Sequence, residues 1–574
     1  MNILGIKPAL GDKTDLDFWC YHNGGAALLK DGKISGIVEE ERFTREKRAE
    51  HKFPAQSIQS VLEREDMSIK DVDIVAVGRD PKKIIRRASD RPTEFIPTYP
   101  SDWSSVKNMG TAIASAAGLY RKSLVRHLEE ATEEKFNGRY MFIPHHRCHM
   151  ATASYCSNFE NQLTLTIDGT GEYDSTVVWR DGERLQTFSR YNSLGGFYGI
   201  GSSYLGFRGV RDAGKVMGLA AYGEENEAIR NKFEQLIDVK NDNYRLKVEI
   251  SDKGIEKLED LFGPSRNHNE PIKKYHKDFA YRLQKTLERA VENIAEHYLK
   301  KTGAKNISLA GGVAMNCKAN KRLKDLELVE NIFIQPGADD RGICLGAALE
   351  AYKQATGDTP TRCLEHVYYG TSYTSDTVEE TLKKNKLSYK VEENIEEKAA
   401  ELLSDGKTVG WFQGRMEYGA RALGNRSILA NPTDQKYRDK VNRDVKGREE
   451  WRPFAPSILQ DKKEEYLQTD IDSPFMIMTD SVTEKAIEDI PATVHTDRTT
   501  RPQTVEKNVN PKFYRLIKHF ESKTGVPVIL NTSFNLSGKP IVESPQDAIN
   551  TYYNSGLDAL CLEDFLLVKD TEFN

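Results

Sequence analysis

Arg139-Tyr-Met-Phe-Ile143, Pro144, His145-His-Arg-Cys-His149, Met150-Ala-Thr-Ala-Ser-Tyr-Cys156, Leu163-Thr-Leu-Thr-Ile167 and Asp168-Gly-Thr-Gly-Glu172 follow one another in the stretch on which the fold turns. The first run reads as a strand ending at Pro144. Proline suits a helix start, and Met150-Ala-Thr-Ala favours continuation, so a helix is predicted from His145. Residues four apart share a helix face, which turns His145 and His149 the same way and His146 elsewhere. In a strand the same two rings would stand roughly 13 Å apart. Leu163–Ile167 reads as the next strand, with Asp168 at its end. Two imidazoles and a carboxylate suit a divalent transition metal that keeps positions open for substrate. An HxxxH pair also arises by chance, but the adjoining loop strengthens the reading: Gly169 and Gly171 let backbone N–H groups approach an anion.

Outward from this stretch, a pattern recurs. Asn2–Ile6 reads as a strand, a loop carrying His22-Asn-Gly-Gly25 follows, and Ala26–Leu29 and Ile34–Val38 flank Asp31-Gly32, a hairpin signal. The second copy runs through Leu163–Ile167, a glycine-bearing loop, Ser175–Trp179, Asp181-Gly182 and Leu185–Phe188. Two such copies predict an internal duplication on the plan of an actin-like or sugar-kinase-like ATPase. Between them lies the charge run Glu39-Glu-Glu-Arg42-Phe-Thr-Arg-Glu-Lys47-Arg48. Such runs are usually solvated faces. This one follows a strand end, where α/β sheets bind ligands, which leaves a role open for Lys47. Residues 54–65 and 104–134 carry helical patterns, and Val72–Val77 is strand-like.

The 574 residues predict two or three domains. With 29% charged residues and a net charge of -5, there is no global nucleic-acid footprint. Seven scattered cysteines without a CxxC pair fit reduced thiols rather than a disulfide framework. No signal-peptide pattern or membrane-length apolar run is visible, so the expectation is a cytoplasmic chain.

Further along, Gly214-Lys215 through Gly223 packs small residues around one lysine, and 277–302 is a long amphipathic helix pattern. Ile307–Ala310 is a strand running into Gly311-Gly312, a turn that lets backbone approach a phosphate or adenosine. Asn331–Ile334 leads to Asp339-Asp340-Arg-Gly342, a strand-to-helix junction suited to a metal or phosphate ligand. A turn-rich boundary at Thr356–Pro360 divides 1–355 from 361–574. In the second part, Val409–Phe412 precedes Arg415, Arg421 and Arg426, and Lys446, Arg448 and Arg452 follow, with Trp451 and Phe454 as apolar walls. Arginines spaced by glycines suit phosphate and carbonyl oxygens. A salt-bridged surface is the competing explanation, since Glu417, Asp444, Glu449 and Glu450 are close in sequence. Val526–Leu530 is a buried strand ending in Asn531-Thr-Ser533-Phe-Asn535.

Together these motifs resemble the O-carbamoyltransferases that include the nodulation-factor, cephamycin and tobramycin enzymes. The matching stretches are His145–His149, Asp168–Glu172, Gly214–Gly223, Leu309–Asn316, Gly410 through Pro432, Trp451–Pro456, Asn531–Asn535 and Gly538–Val542, in the family's order. The resemblance implies an α/β chain. Its N-terminal actin-like (ASKHA) duplicated domain is similar to the universal tRNA threonylcarbamoyladenosine transferase. Its C-terminal YrdC-like twisted-sheet domain is similar to the enzyme that makes threonylcarbamoyl-adenylate. It further implies that carbamoyl phosphate and ATP, with Mg2+, form carbamoyl-adenylate in 361–574, and that 1–355 passes the carbamoyl group to an acceptor hydroxyl. By motif, His145, His149, Asp168 and Asp340 would hold Fe(II) or another divalent metal. Arg421, Lys446, Arg452, Arg501, Met476, Asn531 and Ser533 would handle carbamoyl phosphate and the adenylate. His22 would meet the acceptor as base or positioner, and Asn316 with Gly311 and Gly312 would bind nucleotide.

The family's His-His-Leu-Ala-His is His-His-Arg-Cys-His here, which keeps both proposed ligands and changes the helix's packing residues. Alternatives are carbamoyl transfer to a modified nucleotide, DNA or tRNA, and a non-catalytic nucleotide-binding regulator. The arginine cluster and the His-His-Asp set weigh against the last. A carbamate is a sluggish acyl donor. A mixed anhydride with AMP gives it a good leaving group, and forming that anhydride needs clustered cations.

Overall fold

The computed structural model describes residues 1–9, 22–81, 120–360, 363–449 and 451–569. They form two compact units that do not follow chain order. One comprises Met1–Phe197, Ala295–Met315 and Glu327–Leu364. The other comprises Tyr198–Ile294, Asn316–Leu326 and Glu365–Asn574.

The first unit contains the duplication. One sheet runs, edge to edge, Lys33–Glu39, Gly25–Lys30, Asn2–Lys7, Ile74–Val77 and Arg139–Phe142. The other runs Glu183–Ser189, Asp174–Arg180, Gln162–Ile167, Asn306–Ala310 and Asn331–Ile334. In each, the first strand pairs antiparallel with a hairpin and parallel with the fourth strand, and the fifth lies parallel outside it. This identity of order is the internal repeat of an actin-like fold. The turns repeat too: Asp31 and Gly32 have φ of 48° and 77°, Asp181 and Gly182 of 47° and 83°. Left-handed backbone at both positions is what a two-residue hairpin turn needs to match strand twist.

Each copy's fifth strand feeds a helix, His145–Ser154 after the first and, beyond a short turn, Ile343–Thr356 after the second. The two helices pack on each other. Gly346 permits this, because a Cβ there would stand 2.1 Å from the carbonyl oxygen of Cys148. The helix Ile343–Thr356 also lies on the first sheet, where Gly5 leaves room for the carbonyl of Cys344.

The second unit holds an eight-stranded mixed sheet in the order Lys390–Val391, Phe565–Val568, Ala559–Leu562, Val409–Phe412, Arg426–Ala430, Val528–Ser533, Ala455–Leu459, Gln503–Val505. Its core gathers Phe412, Ile428, Leu530, Phe534, Val542, Tyr552 and Leu560. The loop before Arg426 is pinned from inside. Arg426 is fully buried, donates to the carbonyls of Gln413 (2.8 Å) and Gly414 (3.1 Å), and lies over the Phe412 ring. Glu417 accepts the N–H groups of Leu423, Asn425 and Arg426.

Two expectations need comment. Much of the 104–134 pattern lies outside the described residues, and 120–132 is helical. The charge run after the third strand is not a solvated face: Glu39, Glu40, Glu41 and Arg42 are at most 4% exposed. Arg42 pairs with Glu39 at 3.2 Å, and Arg341 lies 3.6 Å from Glu41, so charges distant in sequence satisfy one another in the interior.

Candidate metal centre and anion cluster

In the first unit the helix His145–Ser154 starts after Pro144, and Glu172 caps it by accepting the His145 N–H at 3.0 and 3.1 Å. A carboxylate at this end also suits the helix dipole. His145 and His149 stand on one face, with Nε2 atoms 3.1 Å apart. Asp168, at the end of Gln162–Ile167, brings Oδ2 to 2.8 Å from His145 Nε2 and 3.6 Å from His149 Nε2. Asp340 adds Oδ1 at 3.6 and 3.9 Å from the same nitrogens. One ligand atom from each of the four lies within 4.8 Å of every other, and all four residues are buried. Two imidazole nitrogens facing each other between two carboxylates is a donor set that a divalent transition metal satisfies. His149 Nδ1 has no hydrogen-bond partner among the described residues. His146 turns away, bonded to Thr166 and the carbonyl of Asp174.

The electrostatics follow the geometry. Burial opposes ionisation of Asp340, but Lys7 and then His145 outweigh it and hold the carboxyl far below its usual range. Asp168 behaves alike, through its bonds to His145 and His149. Burial works against a charge on His145, while Asp340 and Asp168 raise its pKa. His22 reaches the edge of the cluster, with Nδ1 3.7 Å from Asp340 Oδ2. Burial, then Lys7, lowers its pKa to about 3.

The glycines serve the turns. The Gly312 N–H donates to Asp168 Oδ1 at 3.0 Å and so fixes the other oxygen towards the histidines. The N–H groups of Gly171 and Gly311 go to the carbonyls of Asp174 and Ala338. Gly169 is held by Ser193, whose hydroxyl donates to its carbonyl. Lys47 is exposed, apart from the buried part of its charge run. Asp339 caps the turn that begins at Asp340 and pairs with Arg341, so Asp340 alone of the two enters the cluster.

In the second unit several cations gather, with Glu449 as a neighbouring carboxylate among the described residues. Lys446, 5% exposed, donates to the carbonyl and side chain of Asn535 at 3.0 and 2.8 Å and to the carbonyl of Ser533. Arg448 donates to Asn442 at 2.7 Å and lies 4.4 Å above the Phe454 ring. Burial, then the nearby charges of Arg452 and Arg501, lowers its pKa to about 9. Arg501 is lowered by burial and by Arg452, and its Nε has no hydrogen-bond partner among the described residues. Glu449 lies 4.0 Å from Arg452 and 3.0 Å from Lys215. Among the described residues no salt bridge joins a carboxylate to Arg448 or Arg501. Glu450 lies outside the described residues. Arg452 keeps Glu449 and Asp212 as neighbouring carboxylates, while Arg448 and Arg501 each have the charge of Arg452 beside them.

The small residues of 214–223 border this cluster. Gly218 lies against the Trp451 ring, and Tyr222 donates to the Trp451 carbonyl at 3.2 Å. Met476 is buried and left-handed, with φ 56°. Ser533 donates to Asn535 at 2.7 Å. Asn531 spends its amide nitrogen on Ser457, Gln503 and Ala422. Arg421 is half-buried. Asn316 caps the helix Cys317–Lys324 and exchanges two hydrogen bonds with Gln284.

Sequence reasoning missed Lys7, Arg341 and His495. A lysine closing an otherwise apolar strand was the one available signal for Lys7. His495, whose buried Nε2 has no described partner, is lowered to about 4 by burial, with Lys318 and Arg501 adding to it.

A duplicated actin-like core with a second α/β sheet and two polar clusters defines the class, and comparison with known proteins makes it a transferase. The model of the carbamoyltransferase N-terminus matches residues 15–349 and that of the carbamoyltransferase C-terminus residues 400–569; the chain belongs to the carbamoyltransferase family. The nodulation protein NolNO of Sinorhizobium fredii is 36% identical over 99% of this chain and 82% of that one. The 3'-hydroxymethylcephem-O-carbamoyltransferase of Amycolatopsis lactamdurans is 28% identical over 62% of this chain and 64% of that one. Component A of the (R)-2-hydroxyglutaryl-CoA dehydratase of Acidaminococcus fermentans is a loose likeness, with a TM-score of 0.31 and 17% identity over 62% of this chain and 99% of that one. No helix among the described residues is long and apolar enough to cross a membrane.

Proposed function

We propose that this carbamoyltransferase is ATP-dependent, works in two steps and acts on a hydroxyl. In 361–574, Arg421, Lys446, Arg452, Arg501 and Ser533 bind carbamoyl phosphate and ATP with Mg2+; water releases inorganic phosphate from carbamoyl phosphate, and the carbamate left behind attacks the ATP α-phosphorus and expels pyrophosphate, giving carbamoyl-adenylate. In 1–355 the carbamoyl group passes to a hydroxyl of a small-molecule acceptor. The observation that carries the reading is the gathering of buried cationic groups in the second unit: Lys446 held by Ser533 and Asn535, Arg448 over the Phe454 ring, and Arg501 with its Nε unpartnered among the described residues. Their fixed charges offset those that converge as the anhydride forms, without reorganisation during the step. Phe454, packed under Arg448, screens that charge from water.

His145, His149, Asp168 and Asp340 hold a divalent metal, Fe(II) being the ion the family resemblance favours. When bound it supplies Lewis acidity beside the transferred carbonyl. His22, neutral at physiological pH, orients the acceptor hydroxyl. The relative named as a 3'-hydroxymethylcephem-O-carbamoyltransferase supports oxygen as the acceptor atom.

The test incubates the whole chain with labelled carbamoyl phosphate, ATP and a panel of hydroxyl compounds. Pyrophosphate release that requires carbamoyl phosphate, with carbamoyl addition detected by mass, is expected. Carbamoyl addition that proceeds without ATP would overturn the adenylate step.

A further inference from the structure

The strand Asn2–Lys7 closes on a lysine to which the function above assigns no role. Its side chain is 3% exposed, its Nζ lies 2.7 Å from Asp340 Oδ2, and it also donates to the carbonyl of His22. A buried ammonium beside a cation site is unexpected, because it opposes the binding of a second cation. The duplication sharpens the point. Asn2–Lys7 and Gln162–Ile167 are counterpart central strands, and the second runs directly into Asp168. Near the position where the second copy contributes a negative charge, the first contributes a positive one. The two oxygens of Asp340 are thereby divided: Oδ2 meets Lys7, and Oδ1 faces His145 and His149.

We infer that Lys7 is a positioning residue and built-in counter-cation of the cluster, which restricts Asp340 to one ligand oxygen and sets a fixed positive charge at the Asp340 edge of the occupied centre. This rests on the metal reading above. Among the four donors a divalent ion, two carboxylates and two neutral imidazoles cancel; the Lys7 ammonium then adds a positive charge at Asp340, and Glu172, bonded to the His145 backbone N–H, a negative one at the helix start. The consequence is a centre that binds metal more weakly than its four ligands alone would, and that favours an anionic oxygen arriving beside it. Through the His22 carbonyl, Lys7 also ties the backbone of the acceptor-positioning residue to a metal ligand.

Titrating metal-free full-length protein with Co(II), a divalent ion visible by absorption, tests this. Lys7→Met removes the charge and the hydrogen bonds. Lys7→Gln removes the charge but keeps a donor, and it decides the matter if Lys7→Met does not fold. Lys7→Arg keeps the charge. The neutral variants should bind Co(II) about ten-fold more tightly or better, since a repelling charge in a buried site is gone. The visible bands of Lys7→Met, which leaves Asp340 Oδ2 without that donor, should weaken as the second oxygen is offered and the coordination number rises. Lys7→Arg should stay within about three-fold of the parent, because its charge is retained. Equal or weaker Co(II) binding by a folded neutral variant would overturn the inference. Failure of the parent itself to bind would overturn the metal reading, and the inference with it.

Discussion

Replacing Arg452 by lysine separates charge from geometry. The arginine side chain is 32% exposed, stands 4.0 Å from Glu449, and adds to the repulsion that depresses Arg448. Lysine keeps the positive charge but not the planar fork that grips two oxygens at once. The loss is then one charge-assisted hydrogen bond, about 1.5–3 kcal/mol. At about 1.4 kcal/mol per decade, kcat/KM for carbamoyl phosphate falls roughly ten- to 150-fold. The assay is carbamoyl-phosphate-dependent pyrophosphate release by the whole chain, with metal content and thermal midpoint measured alongside. Both controls should stay at parent values, because the four clustered donors proposed to hold the metal lie in the other unit. Given chemically made carbamoyl-adenylate, the variant should still carbamoylate its acceptor. Arg452→Lys releasing pyrophosphate at the parent rate would show that this arginine grips no reacting group.

Three further outcomes are expected. His149→Ala and Asp168→Asn should each lower metal content and abolish transfer while pyrophosphate release persists; elemental analysis beside the two activity assays checks this. Gly346→Ala pushes a methyl to 2.1 Å from the Cys148 carbonyl, so the thermal midpoint should drop by an amount equivalent to about 1–3 kcal/mol, with weakened metal binding as the ligand helix shifts. Burial disfavours a charge on Glu41, yet Arg341 and Arg42 outweigh it and hold its folded pKa below the unfolded value. Its stabilisation is therefore present above roughly pH 4.3 and is lost as pH falls through the folded pKa. An acid-unfolding curve for Glu41→Gln should be flatter than the parent's below that pH.

Local chemistry made the duplication legible. Asp31-Gly32 and Asp181-Gly182 each sit between apolar runs, and a two-residue turn needs only its own φ angles. The His145–His149 pair was legible for the same reason, since a helix fixes residues four apart. The partners of that pair were less accessible. Spacing said only that Asp340 stands at a junction, and its contact with Lys7, 333 positions away, has no local signature. The charge run at Glu39–Arg42 misled because charge density alone reads as surface, whereas Arg341 completes it from the second copy. In the second unit the spacing of the arginines was legible, but their partners were not. That Arg426 is a buried pin rather than a binding group depends on carbonyls that only the folded loop presents.

The origin of the four clustered ligands sets an order of events during synthesis. His145 and His149 follow the first copy's last strand, Asp168 follows the second copy's first strand, and Asp340 follows its last. A nascent chain can fold its first sheet and still lack half the donors. The cluster closes only after Asp340 has emerged and the helix Ile343–Thr356 has docked against His145–Ser154 through Gly346. Contacts so distant along the chain form late, after the entropy of closing the intervening loop has been overcome. The cluster thus assembles only when both halves of the repeat are complete, so its closure reports on the whole first unit rather than on either sheet alone.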